Sequence, residues 1–198
     1  MAEITATQVK ELRDRTGVSM MDCKKALGET GGDLDKAVEH LRKMGASSAA
    51  KKAGREASEG LVESYIHPGG RVGVLMEVNC ETDFVARTED FKGLVRNLAM
   101  QVAATRPLCV RREEVPADLV AKEREIYAEQ MRIEGKPAAV IEKIVEGKMG
   151  RFFSEQCLLD QPYIRDPERT VDQLVKDTIA KIGENVVVRR FARFELGS

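Results

Sequence analysis

The sequence has no surplus of positive charge: 32 Lys and Arg side chains face 33 Asp and Glu, for a formal net charge of −1. Phosphate neutralisation dominates nucleic-acid affinity, so a protein with that main task carries a clear basic excess. Direct nucleic-acid binding is therefore not expected, although Lys51, Lys52 and Arg55 form one local basic stretch. Cysteine and histidine are also scarce. Cys23, Cys80, Cys109 and Cys157 are widely scattered with no C-x-x-C pair, and only His40 and His67 accompany them. A disulfide framework or a locally spaced zinc site is excluded on that pattern, and reduced thiols of a cytosolic protein are expected. No run approaches the roughly 20 apolar residues of a membrane span. The start, "MAEITATQVKEL", lacks an apolar signal core, so the expected location is cytoplasmic, with no membrane partner. Neither G-x-x-x-x-G-K-[ST] nor G-x-G-x-x-G occurs, and the glycine-rich "GETGGD" follows a helix pattern where a phosphate cradle follows a strand. No cofactor or metal is expected, and no internal repeat is evident.

What is present is charge of both signs on a foldable chain. Charged residues make up 33% and hydrophobic ones 42% of 198 residues, against about 25% charged in an average globular protein. Such a chain can build a core beneath a densely ionic surface. The first segment reads as three short helices. Thr5 and Gln8 form a capping box and Gly17 is a left-handed stop. Ser19 caps "MMDCKKAL", and Asp33 caps "LDKAVEHLRKM", which Gly45 is expected to end. Residues 46–60 are alanine-rich and charged without a large apolar face, and read as a partly helical linker.

The period then changes. "LVESYIH" and "RVGVLMEVNC" flank Pro68-Gly69-Gly70 as a hairpin, the second strand apolar enough to be well covered. A helix is expected from about Thr82 to Ala104, with Phe91, Leu94, Val95, Leu98 and Val102 on its stripe and Pro107 beyond its end. Two charged helices follow, divided near Gly135-Lys136-Pro137. "QPYIRDPER" reads as a loop, "TVDQLVKDTIAKIG" as a helix and "NVVVRRFARFEL" as a final strand. In that strand Val187, Arg189, Phe191, Arg193 and Glu195 share one face, and Val186, Val188, Arg190, Ala192, Phe194 and Leu196 the other. The fold class is α+β, with a three-helix domain over 1–45, a linker over 46–60 and an α+β core with a small antiparallel sheet over 61–198.

Catalytic chemistry is poorly supplied. Cys80 stands at a strand end, but neither histidine is placed to make its thiolate. Acidic residues alternate with basic ones on helices, as solvated faces do. The protein is read as acting by binding, not as an enzyme. Met20 and Met21 are adjacent, about 100° apart on a helix. One is expected in the small core, and contact and core are both open for each. At Asp83-Phe84, pattern alone makes Thr82 the cap, Asp83 a dipole partner and Phe84 the first core residue of a helix. At "KIGENVVVRRF" the bland reading is a short αβ turn.

Taken together, "ITATQVKELRDRTGVSMMDCKKAL", "AVEHLRKMGASSAAKKAGREASEG", "EVNCETDFVAR" and "IAKIGENVVVRRF" closely resemble the elongation factor Ts family, in order, from Ile4 to about Leu196. The resemblance implies a ubiquitin-associated-like three-helix domain and an α+β core. It implies a partner, the GTPase elongation factor Tu, from which a guanine-nucleotide exchange factor expels GDP so that GTP can bind. Carried over by motif, Lys10, Arg13, Met20 and Met21 contact the GTPase. The T-D-F-V motif, Thr82, Asp83, Phe84 and Val85, is carried over as a GTPase contact, with Asp83 and Phe84 facing its Mg²⁺ and phosphate region and Phe84 as a wedge. The I-G-E-N turn, Ile182, Gly183, Glu184 and Asn185, is carried as a candidate contact. Longer members have a core of two similar halves and this chain one. A homodimer in a two-plus-two complex is therefore expected, without a disulfide in "RRFARFEL", which has no cysteine. Two other readings remain open: a ubiquitin-associated-like adaptor that only tethers a protein through its first helices, and a thiol enzyme using Cys80.

Overall fold

The structure is a computed structural model that describes residues 4–197. The first three helices are set by their caps. Helix α1 (Ala6–Thr16) carries the Thr5–Gln8 capping box and ends at Gly17, φ 67°, whose N–H returns to the Arg13 carbonyl. Ser19 caps α2 (Met20–Glu29), and Asp33 caps α3 (Leu34–Lys52) by accepting from the Lys36 N–H. Val9, Leu12, Cys23, Ala26, Leu27, Ala37 and Leu41 close a small core between them.

Gly45 does not end α3, which runs on to Lys52 through part of the expected linker. The following "ASSAAKK" has high helix propensity, so nothing after Gly45 stops the helix. Gly45 is buried, and a Cβ built there would sit 3.4 Å from the Ala180 Cβ. It is a close-approach glycine, not a helix stop.

Strands β1 (Glu59–Ile66) and β2 (Val72–Cys80) form the hairpin around Pro68-Gly69-Gly70, with His67 donating to the Val72 carbonyl at 2.9 Å. With β5 (Val186–Glu195) they make a three-stranded sheet in the order β1-β2-β5. In β2, Val74, Met76, Val78 and Cys80 are buried, but Leu75 is exposed. The apolar run is covered on one face only, because alternate side chains point to opposite faces. Burial along β5 does not keep one parity. Val186 and Val188 are buried, Arg189 and Arg190 exposed, and beyond them Phe191, Arg193 and Glu195 are half-buried while Phe194 is exposed. The more covered positions therefore change from even-numbered to odd-numbered past Arg189-Arg190, while side chains still alternate between the two faces.

The helix expected from Thr82 is two helices: α4 (Asp83–Ala86) and α5 (Glu89–Thr105). Thr88 divides them, its hydroxyl accepting from the Phe91 N–H as a new cap. Phe91, Leu94, Val95, Leu98 and Val102 of α5 are all buried. Helices α6 (Ala117–Ile133) and α7 (Ala138–Gln156) pack as a hairpin over Val115, Val145, Met149, Phe152 and Cys157.

"QPYIRDPER" is not a loop throughout. It forms β3 (Pro162–Tyr163) paired antiparallel with β4 (Asp166–Thr170), Tyr163 opposite Asp166. Two buried amides organise it. Gln101 donates to the Gln161 side chain and the Pro162 carbonyl, each at 3.1 Å, and accepts from the Ile164 N–H at 2.9 Å. Pro162 opens its strand, where a missing N–H costs no ladder bond. Helix α8 (Val171–Ile182) then leads to β5.

The chain divides into two compact units. One holds the residues up to Leu61 with Asn79–Leu94 and Gln173–Val187; the other holds Val62–Val78, Val95–Asp172 and the residues from Val188. The first unit thus joins the three N-terminal helices to the T-D-F-V and I-G-E-N turns. Lys181 of α8 pairs with Asp90 at 2.6 Å, and its stem lies 3.4 Å from where a Gly17 Cβ would be.

Candidate functional site

The site is built outward from Cys80, the last residue of β2. Thr82 turns the chain with extended backbone and its hydroxyl accepts from the Val85 N–H at 3.3 Å, capping α4. This helix is a single turn, with about 100° between successive side chains. Val85 and Ala86 turn into the protein and are buried, while Phe84 turns out and is 76% exposed. Asp83 pairs with Arg87 at 2.7 Å on the exposed side. Phe84 is therefore not the leading core residue of a helix. The stripe starts at Val85 and resumes at Phe91.

The turn is held from behind by distant residues of the same unit. Glu184 accepts from Thr82 twice, from the backbone N–H at 3.0 Å and from the hydroxyl at 2.7 Å. The Asn185 N–H donates to Glu81 at 2.6 Å, and its side chain donates to the Arg55 carbonyl at 2.8 Å. Arg55 closes the circuit on Glu81 at 3.4 Å. Asn185 is only 2% exposed. I-G-E-N is thus bonded to T-D-F-V, with Glu184 half-buried and Gly183 exposed at φ 83°.

Lys10 and Arg13 are exposed on α1. Neither methionine enters the small core: Met20 is 46% and Met21 76% exposed. Cys23, Ala26 and Leu27 already supply the inward face of α2, and the first two residues after the cap fall outside it. Sequence reasoning missed Glu81, Arg55 and Lys181. Each is a charged residue in a charge-rich segment, and nothing local distinguishes it from a solvated one.

Burial pushes the Cys80 thiol up to about 11, and the charge of Glu184 adds to the shift. A thiol so raised stays protonated near neutrality and is a weak nucleophile, so Cys80 does not support the enzyme reading. Cys109 and Cys157 lie 3.8 Å apart as free thiols, Cys157 pushed up to about 12, again chiefly by burial. Among the described residues, no group of three or more His, Cys, Asp or Glu could hold a metal ion, and no helix is long and apolar enough to cross a membrane.

Comparison with known proteins sets these features in the class of translation elongation factors. A family model described as elongation factor TS matches residues 34–198. Elongation factor Ts of Desulforamulus reducens is 61% identical over 197 residues, covering 100% of this chain and 91% of that protein. That of Moorella thermoacetica is 61% identical over 194 residues, covering 98% and 96%. That of Anaeromyxobacter dehalogenans strain 2CP-1 is 62% identical over 197 residues, covering 100% and 90%. The chain belongs to the elongation factor Ts family.

Proposed function

We propose that this protein is a guanine-nucleotide exchange factor for elongation factor Tu, acting by binding and making no covalent bond. The observation that carries the reading is Phe84, a large apolar side chain left in water on a turn capped by Thr82 and bonded to Glu184. Fully burying such a ring is worth about 1.5–3 kcal/mol, so a partner pocket that takes it gains substantially. GDP is held by phosphate-loop amides and by Mg²⁺, where small displacements are costly. A ring inserted beside those elements weakens nucleotide without occupying its place. By linkage, GDP weakens the factor's own binding by the same ratio, so the exchange is reversible and needs no chemical step. Lys10, Arg13, Met20 and Met21 serve as a second contact surface on the same unit. Adaptable methionine side chains in water suit that role.

The full chain mixed with elongation factor Tu carrying fluorescent GDP is expected to speed GDP release. Phe84→Ala, at an exposed position, is expected to cut that acceleration by roughly tenfold or more while circular dichroism and melting stay as in the wild type. Equal acceleration by Phe84→Ala would sink the wedge.

The same reading pairs two chains through the open face of the sheet. Val62, Ile66, Leu75, Phe194 and Leu196 stand exposed along β1, β2 and the end of β5 and just beyond it, and all but Val62 line a groove of about 490 Å³. A second copy laid on this face covers them, giving two exchange factors and two GTPases per complex.

A further inference from the structure

We infer that Glu184 is a positioning residue that holds Phe84 in its working orientation and does not itself act on the partner. This rests on the exchange reading above. Helix α4 has four residues, far short of the roughly 12–15 at which an isolated helix becomes even marginal. Phe84 contributes nothing to holding it, because its ring is in solvent. The order of the turn must come from its ends. Behind the ring, Val85 and Ala86 are anchored in the interior. Ahead of it, the anchor is the carboxylate of Glu184.

The bonding has a direction. The Thr82 hydroxyl donates to Glu184 at 2.7 Å, which leaves its lone pairs for the Val85 N–H at 3.3 Å. The carboxylate thus selects the hydroxyl orientation in which the cap works. The Thr82 N–H goes to the second carboxylate oxygen. Both oxygens of Glu184 are occupied by one residue, and bonds to an ionised acceptor are the stronger kind. Glu184 is itself placed by Gly183, whose φ of 83° suits glycine, and by buried Asn185, bonded to Glu81 and Arg55. A clamp of this kind controls where the ring points, and misplacing a group by an ångström can cost far more than losing a contact.

The test is a double-mutant cycle in the full chain, read by release of fluorescent GDP from elongation factor Tu and by amide exchange of Thr82. Glu184→Ala is expected to lower the maximal release rate by about tenfold. The half-saturating concentration should change by less than about threefold, because the methionine surface is untouched. Glu184→Gln keeps one acceptor and should recover part of the rate. In a Phe84→Ala background, Glu184→Ala should have no further effect. Thr82 amide exchange should quicken in Glu184→Ala, with or without the partner. An undiminished effect of Glu184→Ala in the Phe84→Ala background would overturn the proposal, as would unchanged Thr82 exchange. If the wild type fails to speed release, the exchange reading falls, and Thr82 exchange still decides the clamp. Should Glu184→Ala melt early, Glu184→Gln provides the same comparison in a folded chain.

Discussion

Two residues of one short stretch have opposite fates for a simple geometric reason. Phe84 and Val85 are neighbours on a single helical turn, about 100° apart, so they can meet different surroundings. Val85 is buried and Phe84 is not. Cys80, four residues before Phe84, shows the complementary effect of burial. Its thiol is raised to about 11, by burial first and by Glu184 second. A raised thiol value means the folded state holds its proton more tightly than the unfolded chain. The associated stability is full below the ordinary value near 9 and is lost as pH rises through about 11. Melting temperature should therefore fall across that alkaline window, and less so in Cys80→Ala. Alkylation of Cys80 in the folded protein at pH 7.5 should be at least about tenfold slower than in urea. Equal rates would show that the site is open.

At the scale of elements, the surprises are helix limits. Gly45 reads as a stop because glycine so often follows a helix, yet α3 continues to Lys52 and Gly45 faces Ala180. A larger side chain there has nowhere to go. Gly45→Leu should destabilise the protein by about 1–3 kcal/mol, measured by urea denaturation, despite leucine's better helix propensity. Unchanged stability would mean α3 and α8 can separate freely. Thr88 misleads in the other direction. It lies inside what reads as one helical period, but its hydroxyl caps a new helix that starts at Glu89 by accepting from the Phe91 N–H. The hairpin of β3 and β4 was not legible at all, because its support comes from Gln101, 60 residues before Gln161. Caps at Thr5, Ser19 and Asp33 were legible because each acts on an N–H three residues on.

For the whole molecule, the open apolar face of the sheet is the feature that one chain leaves unresolved. Phe194, Leu196, Val62, Ile66 and Leu75 are exposed there, and a contiguous apolar patch on a sheet marks an interaction surface. If two copies pair through this face as proposed, Phe194→Asp, which places a charge in that patch, shifts the protein to monomer in light scattering at micromolar concentration. The rate of GDP release per chain then tells whether pairing matters to exchange. A wild type that is monomeric under the same conditions would remove the homodimer.

By itself the sequence determined the α+β class, the caps of the first three helices, the Pro68-Gly69-Gly70 hairpin and the buried stripe of α5. These depend on residues a few positions apart, and short-range physics fixes them. Its motifs also carried the family resemblance. Only the tertiary structure decided that Phe84, Met20 and Met21 face water, that Gly45 is a packing position, and that the more covered face of β5 changes past Arg189-Arg190. It also decided that Glu184 reaches Thr82 across 102 residues of chain. Exposure and long-range bonding depend on what else arrives at the same place, and no local pattern encodes that.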